Sequence, residues 1–432
     1  MRKILFSFIV IGVLSSSFFA QETPFVSAKN GQLSIGNEVY YFIGTNYWYG
    51  PLLGLEKDKK RGVERLRREL DFLKKKNVTN LRIMAGAEGA GLISGVERVG
   101  PPLQPKQGKF DERVAESLDL LLFEMGKRDL KAVVFLSNNW EWSGGFQQYL
   151  IWNNKISDDL KTRKLTWDEQ RDIVSKFYGC EPCKKAYNKQ VEFLLNRTNK
   201  FNKIKYANDP TIMAWELANE PRPMRPAAEN DYKKWIAETA AMIKKKDKNH
   251  LVCIGHEGSI GTEGMRIFEE IHADRNIDYL TIHVWAKNWA WFRNGKLGED
   301  YSSAEKKAVD YIREHLAIAK KLNKPLVVEE FGLPRDDESI DLASSTALRE
   351  RYYGAIFDIL LEQVGKKTGG NLAGVNFWAY GGEARPKKDQ PFWKKGDDYT
   401  GDPPMEEQGL NSVFDSDFDT WFLINIYFNF LP

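Results

Sequence analysis

Short, uninterrupted apolar runs recur along the chain, and each is followed, after a loop, by residues spaced for an amphipathic helix. The runs are Tyr40–Gly44, Asn80–Met84, Ala132–Leu136, Ile212–Leu217, Leu251–Gly255, Tyr279–His283, Leu326–Glu330 and Val375–Trp378. Apolar runs without alternation are expected of strands covered on both faces, as in a parallel sheet. Helical spacing appears in Val63, Leu66, Leu70 and Leu73, and again in Val114, Leu118, Leu121 and Met125, with Asp111 placed to cap. Ile236, Ala240 and Ile243 form a third stripe, and Ile312, Leu316 and Ala319 a fourth. Eight such alternations predict either a closed barrel or a doubly wound sheet. A dinucleotide-binding sheet wants Gly-x-Gly-x-x-Gly after its first strand, and Gly44-Thr45-Asn46-Tyr47 offers nothing of the kind. The pattern therefore predicts an α/β protein, a single-domain (β/α)8 TIM barrel with long βα loops. The 432 residues fit a barrel of about 250 residues enlarged by insertions.

The first twenty residues stand apart. Met1-Arg2-Lys3 is basic, Ile4 to Leu14 is apolar, and Ser15 to Ala20 is mostly small, which is the pattern of a cleavable export signal. Residues 1–20 are read as signal peptide and 21–432 as the barrel domain, secreted or periplasmic, with no stable membrane anchor. In an exported protein, Cys180 and Cys183 are expected to close a local disulfide. Cys253, within an apolar run, reads as a buried small hydrophobe.

The 63 basic and 60 acidic residues nearly cancel, so no nucleic-acid partner is expected. Aromatic residues make up 13%, including 13 Trp, which suits a cleft that stacks sugar rings but equally a Trp-rich core. A closed barrel needs no partner, and a monomer is the default expectation.

Chemistry in such a barrel sits where the strands end. Those positions hold Asn46, Trp48, Arg82, Asn138, Trp140, Asn219, Glu220, Glu257, His283, Trp285, Glu330 and Trp378. Hydrolysis of a glycosidic bond needs one carboxyl group to protonate the leaving oxygen and a second to act as nucleophile or base. Glu220 and Glu330, on the fourth and seventh strands, face each other across the mouth. Strand alternation sends the adjacent Glu329 to the opposite side. Glu216 reads as a satisfied acid of the barrel interior.

The stretches Trp215-Glu216-Leu217-Ala218-Asn219-Glu220-Pro221-Arg222 and Val328-Glu329-Glu330-Phe331-Gly332 resemble the two signature strands of family 5 glycoside hydrolases. Gly44-Thr45-Asn46 with Trp48, Leu81-Arg82, Asn138-Asn139-Trp140 with Gly144 to Tyr149, and Asn208 to Trp215 are similar to the endo-β-1,4-mannanases of that family. The resemblance runs from about residue 24 to the end of the chain. It implies a retaining endo-β-1,4-mannanase acting on mannan, galactomannan or glucomannan, with Glu220 as acid/base and Glu330 as nucleophile. It further implies that Asn219 binds the sugar 2-hydroxyl, that Arg82 orients Glu330, that His283 lines the same subsite and that Trp378 is its stacking floor. Trp48 and Trp140 read as subsite platforms or as core. Glu257 reads as a sugar contact or a structural acid. Many relatives place Tyr two residues after the strand-six His; here Trp285 stands there, so a phenolic hydrogen bond is missing or supplied from elsewhere. A β-1,4-glucanase with the same carboxyl pair is the first alternative, and a non-catalytic carbohydrate-binding barrel the second. No cofactor or metal is expected: the mechanism requires none, and none of the five His forms a His-x-His pair.

Overall fold

A computed structural model describes residues 24–366 and 371–432. The expected signal peptide lies outside the described residues. All eight apolar runs form strands, joined in parallel into one sheet: Phe42–Asn46, Asn80–Met84, Lys131–Phe135, Ile212–Glu216, Leu251–Cys253, Leu280–Val284, Leu326–Phe331 and Leu372–Phe377. Their spatial order is fifth, fourth, third, second, first, eighth, seventh, sixth. The seam between fifth and sixth is closed by Asp278 N donating to Val252 O (2.9 Å), His256 N to Thr281 Oγ1 (2.7 Å) and His283 N to Glu257 O (3.2 Å). Every strand is buried along its length, which is why these segments read as unbroken apolar runs.

The predicted stripes are helices Lys59–Lys75, Glu112–Gly126, Glu229–Lys246 and Leu297–Leu322. The carboxylate of Asp111 caps the second by accepting from Arg113 N at 2.9 Å. The stretch from Gly144 to Cys183, between the third and fourth strands, is largely helical, with Gly145–Trp152 and Trp167–Val174 as its longer pieces. Cys180 and Cys183 form a disulfide there, and Cys253 is a buried free thiol, both as expected.

Two parts escape the periodicity. Three short antiparallel strands, Val26–Lys29, Gln32–Ile35 and Glu38–Val39, precede the barrel. Their Val26 and Leu33 pack with Phe42, Val133, Met213, Leu251 and Val327, plugging the end where the barrel strands begin. The second is an excursion over residues 383–412, between the eighth strand and the last helix, Phe418–Phe428. Asp402 holds this excursion together by accepting from Gly409 N, Asn411 N, Ser412 N and Ser412 Oγ. Among the described residues no helix is long and apolar enough to cross a membrane.

Candidate active site

A cleft of about 390 Å³ opens at the strand ends. Asn219, Glu220, Glu257, Glu330, Trp140 and Trp378, all singled out from sequence, line it. Arg82 and His283 lie just beneath, fully buried.

Glu220 follows the fourth strand, where its N–H donates to Gly255 O at 2.8 Å and the preceding Asn219 N–H donates to Ser137 O at 2.9 Å. Its φ is 52°, an uncommon conformation for a side chain of this kind, held by those neighbouring strands. Gly255, itself at φ 81°, lets the chains close up: a Cβ there would stand 2.1 Å from Glu216 Oε1. The Glu220 and Glu330 carboxyls meet over His283, whose Nδ1 is 2.6 Å from Glu220 Oε1 and 3.3 Å from Glu330 Oε2. The three atoms all fall within 4.8 Å of one another. That spacing suits a carboxyl pair attacking one bond from both sides without a water between, for which about 5–5.5 Å is usual.

Arg82 makes the pair unequal. Its guanidinium grips Glu216 through two bonds (2.7 and 2.6 Å), reaches Asn46 Oδ1 (3.0 Å) and Asn219 Oδ1 (2.7 Å), and donates to Glu330 Oε1. Burial pushes Glu220 above the usual carboxylate range and Glu330 well above it; Arg222 and Arg82 pull Glu220 back, and Arg82 pulls Glu330 back. Two carboxyls this close share one proton near neutrality, and the direct Arg82 contact favours the charge on Glu330 and the proton on Glu220. Burial, with the positive charge of Arg82 behind it, pushes His283 well below its ordinary value, so the imidazole between the carboxyls is neutral. Asn219, fixed by Arg82 and by its own donation to Asn138 Oδ1 (3.1 Å), keeps a second amide hydrogen free toward the cleft.

Several expectations need correction. Trp48 is fully buried beneath the excursion, donates to Gly401 O at 2.7 Å and packs edge-on against Trp142 and Tyr399, so it supports the cleft wall without lining it. Glu329 does not leave the barrel. A register irregularity, pairing Ile282 with Val328 but His283 with Glu330, passes over Glu329 and lets two consecutive residues enter the interior. Glu329 lies one layer below, where Tyr279 donates to its Oε1 at 3.2 Å, and burial beside Glu216 pushes it well up. The donor thought missing at Glu330 is Trp285 itself, whose indole N–H reaches Glu330 Oε2 at 3.1 Å. Trp140 likewise donates its indole N–H to Glu220 Oε2, a role beyond stacking.

Sequence reasoning missed Arg222, Trp167, Asn288, Met405 and Glu406, which also line the cleft. Arg222 is gripped by Glu257 and flanked by the Trp140 and Trp167 rings at 5.1 and 5.7 Å, so Glu257 is half of an ion pair. Only the Arg after Asn-Glu-Pro hinted at it. Glu406 arrives on the 383–412 excursion, which carries no periodic signal. Its Oε2 is buried without a partner, and burial, aided by Asp402 and Glu220, raises its pKa to about 8.

With this geometry established, comparison with known proteins is informative. The chain superposes on a glycoside hydrolase family 5 mannosidase from Rhizomucor miehei with TM-score 0.84 and 31% identity, covering 95% of this chain and 98% of that one. It is 30% identical over 301 residues to mannan endo-1,4-beta-mannosidase 4 of Solanum lycopersicum, spanning 67% of this chain and 70% of the relative. It is 28% identical over 370 residues to a putative mannan endo-1,4-beta-mannosidase 9 of Oryza sativa subsp. japonica, spanning 82% and 81%. The family described as GH family 5 beta-mannosidase-like matches residues 23–431, and the chain is therefore a glycoside hydrolase of family 5.

Proposed function

We propose that this protein is a retaining endo-β-1,4-mannanase that hydrolyses internal β-1,4-mannosidic bonds of mannan, galactomannan or glucomannan by double displacement. In this reading Glu330 attacks the anomeric carbon while Glu220 protonates the departing oxygen. Glu220 then takes a proton from the water that releases the sugar from Glu330. The observation that carries the proposal is the carboxyl pair itself: two acids joined over His283 within 4.8 Å, with Arg82 bonded to only one. In this reading Trp378 serves as the stacking floor and Asn219 as the partner of the 2-hydroxyl. Relatives named as mannan endo-1,4-beta-mannosidases support the substrate. Export from the cytoplasm is part of the proposal, supported by the pattern of Met1 to Ala20 and by the Cys180–Cys183 disulfide.

One observation favours a second reading, a β-mannosidase working on short chains or chain ends. The 383–412 excursion brings Pro403, Met405 and Glu406 into the cleft wall, which narrows the room for a long polymer. Product analysis on linear mannan, galactomannan and carboxymethyl-cellulose, with Glu330→Ala as control, tests both. A spread of manno-oligosaccharides absent from the control supports the endo reading. Mannose alone favours the second, cleavage of cellulose alone overturns the specificity, and no cleavage overturns the catalytic assignment.

A further inference from the structure

The last helix, Phe418–Phe428, turns Thr420, Trp421 and Ile424 inward, where the Trp421 ring meets Phe72 edge-on at 5.1 Å. Its other face is apolar as well. Phe418 is 74% exposed, Phe422 68%, Ile426 38% and, just past the helix end, Phe430 65%. A spacing of four sets these side chains one above the next in a single outward stripe. Scattered exposed hydrophobics need no explanation, but two phenylalanines and an isoleucine on one helix, with a third phenylalanine just past its end, do. At about 200 Å² for a fully exposed Phe, the three leave about 400 Å² of ring surface in water.

We propose that this stripe is a self-association surface through which two copies of the chain pair about a two-fold axis, their last helices antiparallel. Covering the phenylalanines on both copies removes about 800 Å² from water, most of the roughly 1,000 Å² that a specific interface needs. Charge selects this occupant. The stripe has Asp419 at its start and no Lys or Arg in the last turn of the helix itself, so its flank is not basic along its length, as an interfacial helix on an anionic membrane needs. At its far end Asn425 accepts from Asn77 Nδ2 at 3.0 Å, and Asn77 directly follows Lys74, Lys75 and Lys76. One end is thus acidic and the other basic. Antiparallel pairing brings Asp419 of each copy to the lysines of the other, whereas parallel pairing sets like charges together. Phe418 then meets Phe430 of the second copy, and Phe422 meets Ile426. The stripe runs along the barrel flank and the cleft opens at the strand ends, so pairing leaves the active site open.

Sedimentation velocity and light scattering on the purified chain, over a range of micromolar concentrations, test the proposal. The expected result is a particle of twice the chain mass. Phe422→Glu should weaken the pair at least about 30-fold, because it buries an unpaired charge, while kcat/KM stays unchanged. Asp419→Lys should weaken it by about fivefold at low salt, with the effect fading as salt screens the charges. A wild-type chain of single mass at every concentration overturns the proposal, as does a dimer that persists in Phe422→Glu. Recruitment of a monomeric chain to phosphatidylcholine vesicles through the same phenylalanines overturns it in favour of a lipid surface.

Discussion

Replacing Trp285 by Phe isolates one hydrogen bond at the centre of the site. The indole N–H donates to Glu330 Oε2 at 3.1 Å, while the ring packs edge-on to Trp378 with centroids 6.0 Å apart. Phe keeps an aromatic ring there and removes the donor. A hydrogen bond to a charged group contributes about 1.5–3 kcal/mol. Arg82 and His283 remain beside Glu330, so the lower part of that range applies, and about 1.5–2 kcal/mol corresponds to a roughly 10–30-fold fall in kcat/KM. The sign for pH follows from the same bond. The donor favours the ionised form of Glu330, to which it is bonded, and of Glu220 beside it, so its loss raises both pKa values and moves both limbs of the activity profile upward, the acid limb by about one pH unit. Trp285→Tyr, with a phenolic donor in reach, should recover part of both effects. The assay is a set of full pH–kcat/KM profiles for the wild type and the two variants on a soluble mannan. Wild-type rates with an unmoved acid limb in Trp285→Phe would refute the reasoning. Equal losses in the Phe and Tyr variants would show that ring packing, and not the donor, is what matters.

Glu220→Gln should lose about 10²–10⁴-fold on mannan and far less on a substrate whose leaving group needs no proton, and its alkaline limb should vanish; comparison of mannan with an aryl β-mannoside checks this. Glu216→Ala strips Arg82 of its bidentate partner inside the barrel, and unfolding in urea should show a loss of about 3–5 kcal/mol. Glu406, with its pKa near 8, is neutral at pH 6 and becomes charged as pH rises. Ionised, it would repel the charge forming on Glu220 and hold that proton to higher pH. Glu406→Gln should therefore leave the rate at pH 6 nearly unchanged and move the alkaline limb downward, and a limb that stays put would show that the two carboxyls do not interact.

The barrel was legible because its strands are buried on both sides. Such strands are apolar along most of their length, and the helices between them must carry a stripe, so the Leu326–Val328 run and the spacing of Val63, Leu66, Leu70 and Leu73 announce their elements by pattern. Glu220, Glu330, Arg82 and Asn219 were legible for a related reason: barrel chemistry is confined to strand ends, and those ends can be counted. The N-terminal plug and the 383–412 excursion were not, because short strands and irregular segments are held by contacts distant in sequence, as Trp48 with Gly401 and Asp402 with Ser412 illustrate. Period two places Glu329 away from the site, and only pairing with the sixth strand, irregular at His283, turns two successive carboxyls inward. Trp285 as the donor to Glu330, Arg222 as the partner of Glu257 and Glu406 as a third carboxyl of the cleft also depend on where separate loops meet. Local sequence determines which segments must be buried and where a strand must end. Which polar atoms then face one another depends on register and on the direction of each side chain, and those exist only once the barrel has closed.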